Sequence, residues 1–193
     1  MKKLLVAAAL ASAILTPMAA QAAKTAVNYS MRLEPPGLDP RTGAAAAISR
    51  IALYNIFEGL TRIGADGTVK PSLAKSWTIS PDGLVYTFKL EEGVKFHDGA
   101  DFDASDVKYT FEENAAENSQ NKRKGRFTNI TSIDTPDANT VILTLKEPRS
   151  DFLAQLGEST AVIVDPASDA GNATNPIGTG PYKLDRWIKG DSV

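Results

Sequence analysis

Few residues in this chain could carry out covalent or metal chemistry. The 193 residues include one histidine, His97, and no cysteine. The absence of cysteine excludes thiolate nucleophiles, disulfide bonds and cysteine-bound zinc. One imidazole is also too few for a histidine-rich metal site, so we predict neither a cofactor nor a metal ion.

Two short motifs could still indicate catalysis or phosphate binding. Gly157-Glu158-Ser159-Thr160-Ala161 is similar to the nucleophile elbow of serine hydrolases, but its last residue is alanine and no histidine follows it. Gly178-Thr179-Gly180 is followed by Pro181 and Tyr182 instead of a helix start, so it favours a loop before a strand over a phosphate site. The sequence therefore predicts a protein that is not an enzyme.

The other polar candidates favour structural roles. In His97-Asp98-Gly99, a turn that satisfies the histidine is favoured over a general base. The basic cluster Lys122-Arg123-Lys124-Gly125-Arg126 lies in a polar stretch without nearby aromatic residues, which favours a solvated loop over an anion site. The net charge is -2, so we expect no nucleic-acid partner.

Residues 1–22 have the pattern of a cleavable secretory signal peptide. Lys2 and Lys3 precede an apolar run at residues 4–15, and Ala20-Gln21-Ala22 forms a small-residue cleavage site. The run is shorter than the roughly 20 residues that a transmembrane helix needs. We predict cleavage after Ala22 and a periplasmic location, and the lack of cysteine excludes a lipid anchor at that site.

The strand pattern predicts two β-hairpins, each with two alternating segments around a turn that contains proline. Their strands are residues 76–80 with 84–90, and residues 130–134 with 140–146. Further strands are expected at residues 25–32 and 182–188. The sequence stops soon after the last of these begins, so we expect a truncated chain.

Two segments have the spacing of amphipathic helices. The first covers residues 44–58 and ends at Gly59. The second begins at Asp103 or Ser105, either of which could cap it, and continues to about Ala116. Together the helices and strands predict a mixed α/β fold.

A set of motifs in collinear order resembles the extracellular solute-binding proteins of family 5, which include the dipeptide- and oligopeptide-binding proteins of ABC importers. The motifs are Leu38-Asp39-Pro40, Ser72-Leu73-Ala74-Lys75-Ser76-Trp77, Pro81-Asp82-Gly83-Leu84-Val85-Tyr86-Thr87-Phe88-Lys89-Leu90, Gly93-Val94-Lys95-Phe96-His97-Asp98-Gly99, Ala104-Ser105-Asp106-Val107, Asp137-Ala138-Asn139-Thr140-Val141 and Asn175-Pro176-Ile177-Gly178-Thr179-Gly180-Pro181-Tyr182. Asp101 departs from the family, which usually has proline there.

The resemblance implies a two-lobe fold of the type II periplasmic binding proteins, of which only the N-terminal lobe portion would be present. Residues 23–43 and 172–193 would belong to the ligand-proximal core lobe, and residues 44–171 to a subdomain specific to the family. The second lobe would be missing.

The implied function is that of a monomeric, periplasmic substrate-binding component of an ABC importer, which binds di- or oligopeptides and delivers them to a permease in the inner membrane. The same scaffold could carry a nickel chelate, haem, an opine or an oligosaccharide instead. A secreted hydrolase is the alternative of another class, and a fragment without activity of its own is a third possibility.

The resemblance also suggests which residues bind ligand. Residues 31–34 resemble the family segment that lies against the ligand backbone, although an edge loop is an equal alternative; residues 157–160, expected at the start of a short strand, are a weaker candidate. The ligand-binding candidates are Met31, Arg32, Leu33, Glu34, Gly157, Glu158, Ser159 and Thr160. The motif residues expected to be structural are Trp77, Asp82, Gly83, Tyr86, Phe88, His97, Asp98, Gly99, Asp106, Gly178, Gly180, Pro181 and Tyr182.

Overall fold

The computed structural model describes residues 29–43 and 45–193. The predicted signal peptide and the first residues of the first predicted strand lie outside these ranges. The chain divides into two compact units, Met1–Ser30 and Met31–Val193, and all the elements named here belong to the second. Within the described ranges, no helix is long and apolar enough to cross a membrane.

The second unit contains helices and strands, as the mixed α/β prediction requires. The helices are α1 (Ala46–Ala52), α2 (Ala104–Ala115) and α3 (Phe152–Gln155). The strands are β1 (Thr61–Ile63), β2 (Val69–Pro71), β3 (Ala74–Ile79), β4 (Val85–Leu90), β5 (Ile130–Asp137) and β6 (Thr140–Leu145). Short 3-10 helices occupy Lys124–Arg126, Ser159–Ala161 and Asp169–Gly171.

An antiparallel sheet with the strand order β3-β4-β6-β5 forms the centre of the fold. Both predicted hairpins are confirmed, because β3 pairs with β4 and β5 pairs with β6. The two hairpins join through β4 and β6, where Phe88 lies opposite Val141. Both of these side chains are fully buried, so the alternation seen in the sequence marks the face of the sheet that forms the core.

Helix α2 packs against β5 and β6, and local hydrogen bonds set its first residue. The Asp103 carboxylate accepts a hydrogen bond from the Ser105 N–H at 2.7 Å, and the Asp103 N–H donates to Asp106 at 2.9 Å. This capping box confirms the predicted start of the helix. Val107 and Phe111 are fully buried in the same core as the sheet.

The first predicted helix is shorter than its spacing suggests, because α1 ends well before residue 58. The chain turns at Tyr54, which has a φ of 60°. The Tyr54 N–H donates to the Phe57 carbonyl at 2.8 Å instead of to a carbonyl one helical turn earlier. Beyond this turn, the Ile56 carbonyl accepts a hydrogen bond from the Gly180 N–H at 2.9 Å. The chain therefore leaves the helix in a turn where the apolar spacing predicts that the helix continues.

No strand forms at residues 182–188, contrary to the sequence prediction. Tyr182 is 68% exposed, and its N–H donates to the Asn55 carbonyl. A strand needs a neighbouring strand to complete its ladder, and within the described ranges this segment makes only the isolated bridge between Ile188 and Ser192. Residues 29–32, the described part of the first predicted strand, are also not a strand.

The small hairpin of β1 and β2 is not predicted by the sequence analysis. Its strands are three residues each and mostly exposed, so no apolar alternation marks them. The hairpin is nevertheless tied to the core, because the Thr61 hydroxyl donates to the Leu153 carbonyl of α3 at 2.6 Å. This contact places β1 beside the loop that follows α3.

Candidate functional site

The predicted ligand-binding residues 157–160, called the 157–160 segment, form the loop after α3 and enter the 3-10 helix Ser159–Ala161. Their predicted position at the start of a strand is wrong. The Ala161 N–H donates back to the Glu158 carbonyl at 2.9 Å, which closes a helical turn. The extended residues that follow, beginning with Val162, are buried against α1 and pair with no strand in the described chain.

Tyr54 holds the beginning of the 157–160 segment. Its hydroxyl donates to the Gly157 carbonyl and accepts a hydrogen bond from the Ile63 N–H at 2.9 Å. The Arg62 guanidinium lies 5.4 Å from the centre of the Tyr54 ring. Burial raises the pKa of Tyr54, so its hydroxyl remains a donor at neutral pH. The positive φ of this bulky residue is a strained conformation that the surrounding contacts must maintain.

Asn121 holds the end of the 157–160 segment. Its side-chain amide donates to the Thr160 carbonyl at 2.9 Å and to the side chain of Asn114 at 2.8 Å. The side-chain oxygen of Asn121, Oδ1, accepts a hydrogen bond from the Arg123 N–H, which fixes the orientation of the side-chain amide. The backbone of the segment is therefore anchored at both ends by side chains from distant parts of the chain.

Arg126 is the charged group that contacts the 157–160 segment, and the sequence analysis missed it. Its guanidinium lies 2.8 Å from a Glu158 carboxylate oxygen and donates to the Thr160 hydroxyl at 3.4 Å. The basic cluster at residues 122–126 is predicted to be a solvated loop, and Lys122 and Arg123 are indeed exposed. Arg126 is less exposed than these two residues, because the residue that follows it, Phe127, lies in the core. That apolar neighbour is the signal in the sequence that could have singled it out.

The other predicted ligand segment, residues 31–34, makes different contacts. Glu34 accepts hydrogen bonds from the Trp187 indole at 3.2 Å and from the Gly190 N–H at 2.8 Å. Leu33 is 70% exposed. The two predicted segments share no hydrogen-bond partner within the described ranges.

A polar pocket of about 440 Å³ lies close to the 157–160 segment. The sequence analysis does not predict it. Asn114 and Asn121 are among its lining residues, so Asn121 connects the pocket with Thr160. The remaining lining residues come mainly from the end of α2, the loop after it and the chain around Arg41 and Asp169.

A buried charge network forms one wall of the polar pocket. Arg41 pairs with Asp39 at 2.8 Å and with Asp169, whose carboxylate also accepts from the Tyr109 hydroxyl at 3.0 Å. Burial opposes the charge on Arg41, but the hydrogen bonds and charges of the two carboxylates outweigh it and raise the pKa of Arg41. Burial, together with the Asp169 charge, raises the pKa of Tyr109 to about 12. The raised pKa values keep Arg41 charged and the Tyr109 phenol protonated at neutral pH.

His97 contacts the loop at residues 178–180. A ring nitrogen, Nε2, lies 2.8 Å from the Gly180 carbonyl, and the Gly178 N–H points to Nδ1 at 3.4 Å. The neutral tautomer with hydrogen on Nε2 satisfies both contacts. The loop approaches residues 55–57 so closely that a Cβ on Gly178 would lie 2.0 Å from the Ile56 carbonyl oxygen.

Several other motif residues lie in the sheet or in turns. Trp77 and Phe88 face each other across β3 and β4, with ring centres 6.4 Å apart. Gly83 and Gly99 occupy turns with φ of 72° and 98°, which a residue with a Cβ rarely adopts. Within the described ranges, no three histidine or acidic side chains are grouped to hold a metal ion.

Comparisons with known proteins give the context of this site. The family model of bacterial extracellular solute-binding proteins, family 5 middle region, matches residues 68–193. The glutathione-binding protein GsiB of Escherichia coli O1:K1 is 34% identical over 98% of this chain and 37% of its own length.

Two solved structures have similar folds. The periplasmic binding protein AgaA of Agrobacterium tumefaciens, solved with agropinic acid, has a TM-score of 0.72 at 36% identity and covers 81% of this chain and 32% of its own. The periplasmic binding protein DppA of Helicobacter pylori, solved with the peptide STSA, has a TM-score of 0.71 at 32% identity, over 81% of this chain and 36% of its own.

The chain thus spans about a third of the length of these relatives, which are binding proteins and not enzymes. The structural neighbours are type II periplasmic binding proteins, which confirms the fold class implied by the motifs. The family model covers well over half of the chain. On this evidence the chain belongs to the bacterial extracellular solute-binding proteins of family 5.

Proposed function

We propose that this chain is part of the periplasmic substrate-binding component of an ABC importer, which binds peptides or peptide-like solutes and passes them to a permease in the inner membrane. The observation that carries the proposal is the family match over residues 68–193. The related proteins bind glutathione in one case and the peptide STSA in another, so their cargo supports a peptide class.

The 157–160 segment supports the proposal because it offers several kinds of polar group at one place. Glu158 and Ser159 are only partly buried, whereas the ends of the segment are fixed by Tyr54 and Asn121. The accessible polar side chains suit a solute that presents amides and charges. Because the backbone of the segment is already held in place, little conformational entropy is lost in ordering it when the solute binds.

The 31–34 segment would provide further contacts to the solute. An extended peptide pairs its amides with a strand edge or loop, while hydrated pockets accept different side chains. In a binder with two lobes, a solute favours closure only through contacts with both lobes. We therefore expect a second set of contacts from residues beyond those described here.

The test uses protein expressed from the complete gene, with thermal melting and calorimetry in the presence of glutathione, Ser-Thr-Ser-Ala or agropinic acid. A solute at 100 times its Kd stabilises the native state by about 2.7 kcal/mol, so we expect a rise of several degrees in Tm with an unchanged solute. Agropinic acid is included because AgaA was solved with it. A response to agropinic acid alone would favour an opine, and cleaved solute would indicate a hydrolase.

A pair of variants tests the site. Ser159→Phe should fill the space beside the 157–160 segment and weaken binding of the responding solute at least tenfold. Ser132→Phe makes the same change at an exposed position on β5 and should leave the Kd unchanged. Equal affinities of the two variants would contradict the placement of the solute at this segment.

A further inference from the structure

We propose that Arg126 recognises a carboxylate group of the solute, and that Glu158 and Thr160 orient its guanidinium for this task. This inference deepens the proposed function and depends on it, because it assumes that the solute lies at the 157–160 segment. It assigns a binding role to one member of a basic cluster whose sequence alone favours a solvated loop.

The backbone of Arg126 is held in place by a short helix and by the core. Arg126 ends the 3-10 helix Lys124–Arg126, and its N–H donates to the Arg123 carbonyl at 2.9 Å. The following residue, Phe127, is 2% exposed and packs on Phe111 of α2 with ring centres 5.3 Å apart. The core therefore sets the position from which the Arg126 side chain extends.

The Arg126 guanidinium is held in place, but its contacts leave some of its N–H donors for another acceptor. A guanidinium has five N–H donors, and those of Arg126 contact Glu158 at 2.8 Å and Thr160 at 3.4 Å. The Thr160 hydroxyl is itself held, because Asn121 bonds the carbonyl of the same residue. Donors remain for a further acceptor, and Arg binds carboxylates through two parallel hydrogen bonds.

The Arg126 side chain is also more buried than its acidic partner. The Arg126 side chain is 17% exposed, whereas its partner Glu158 is 41% exposed. Partial burial strengthens a charge interaction because less water screens it. The more exposed Glu158 has room to turn toward water, which would allow a solute carboxylate to share or take its place on the guanidinium. Arg126 thus combines a fixed position, reduced screening and access.

The other cations of the cluster do not share these features. Lys122 and Arg123 are exposed, and the Lys124 ammonium donates to the Glu117 carbonyl at 2.7 Å, away from the segment. Only Arg126, of these four, contacts the 157–160 segment in the described structure. Arg123 is therefore a matched control, since it carries the same charge three residues away.

The experiment compares Ser-Thr-Ser-Ala, whose one carboxylate is its C-terminus, with its C-terminal carboxamide. Calorimetry gives the Kd of each compound for the protein from the complete gene and for its Arg126→Gln and Arg123→Gln variants. We expect Arg126→Gln to weaken binding of the free acid by about tenfold, the scale of a hydrogen bond between charged groups, and to leave the amide within about twofold. Arg123→Gln should change neither.

This comparison is a double-mutant cycle between Arg126 and the solute carboxylate. If Arg126→Gln weakens acid and amide equally, or affects neither, Arg126 does not recognise the carboxylate and the inference is wrong while the proposed function stands. If none of the compounds binds the unchanged protein, both the inference and the peptide function fail.

Arg126→Lys covers the case in which Arg126→Gln does not fold. Lysine keeps the charge and most of the side-chain stem but lacks the planar pair of donors. We expect it to fold and to lose affinity for the acid but not for the amide, by a factor of about three to ten. An unchanged preference for the acid in this variant would overturn the inference.

Discussion

At the scale of single residues, the buried charge network shows how firmly the chain around residue 41 is tied to the rest of the second unit. The side chains of Arg41 and Asp39 are 7% and 6% exposed, and that of Asp169 is 15% exposed. Asp39 belongs to the motif Leu38-Asp39-Pro40, which carries part of the family resemblance. The pairing with Asp169 joins two parts of the chain that are far apart in sequence.

Replacement of this arginine should be costly. Arg41→Met leaves the carboxylates of Asp39 and Asp169 buried without a counter-charge, so we expect a loss of about 3–5 kcal/mol in the free energy of unfolding. Urea denaturation followed by circular dichroism measures the change. The control is Lys75→Met, which removes an exposed pair with Glu92 and should leave the free energy of unfolding nearly unchanged, because water screens that pair. A loss below 1 kcal/mol at Arg41 would contradict the structural role of the network.

Asp106 gives the protein a specific pH dependence. Burial, with smaller contributions from the Asp103 and Asp165 charges, raises the pKa of Asp106 from 3.8 to about 6. A raised folded pKa means that the native state binds the proton more tightly than the unfolded state. The stability from this group is complete below pH 4 and is lost as the pH rises through about 6.

Asp106→Asn isolates that effect, because asparagine still accepts the Asp103 N–H but does not ionise. The quantity to compare is the free energy of unfolding of the unchanged protein and of the variant. Their difference, unchanged protein minus variant, should fall by roughly 2 kcal/mol between pH 4 and pH 7.5. Urea titrations at both values measure this difference. A difference that stays constant, or rises with pH, would show that Asp106 has no raised pKa in the native state.

At the scale of elements, the loop at residues 178–180 packs against the turn that follows α1. Its glycines allow the backbone to approach the turn after α1, and His97 holds the other side of the loop. The Gly180 N–H bond to Ile56 is part of this contact. The loop thus links the end of the described chain to the segment that carries Tyr54.

Gly178→Ala should separate the two segments. The added methyl would lie 2.0 Å from the Ile56 carbonyl oxygen, so we expect a loss of about 1–3 kcal/mol in stability and faster hydrogen exchange at the Gly180 and Tyr182 amides. Gly171→Ala is the control, because nothing lies within 4 Å of its Cβ position. Exchange rates that do not change in Gly178→Ala would show that the contact does not hold the loop.

At the scale of the whole molecule, the chain spans about a third of the relatives it resembles. Under the proposed importer function, the described residues would supply one part of the binding site, and further residues would close around the solute. The proposed periplasmic location depends on the predicted signal peptide, which lies outside the described residues.

The predicted signal peptide and its cleavage are directly testable. We expect the exported protein to begin at Ala23, because Ala20 and Ala22 provide the small side chains that signal peptidase sites require. Mass spectrometry of the periplasmic fraction measures the N-terminus. Ala22→Leu should leave most of the protein unprocessed, whereas the same change at Ala26 should not affect cleavage. Protein that begins at Met1 in the periplasm would contradict the prediction.

The sequence by itself determined the elements whose signals are local. The hairpin of β3 and β4 follows from alternation around a turn glycine, and the start of α2 follows from Asp103 and its capping partner. The family followed from motifs in order, since such motifs need no tertiary contact to be recognised. The candidate ligand residues remain predictions.

Only the tertiary structure decided the features that depend on distant partners. The turn that follows α1 is bonded to a backbone donor more than one hundred residues away, and within the described ranges residues 182–188 have no neighbouring strand. The contact of Arg126 with Glu158 likewise depends on the packing of Phe127 in the core. Periodicity reports which side chains share a face, whereas hydrogen bonds across the fold are fixed by which surfaces meet, and a linear pattern does not contain that information.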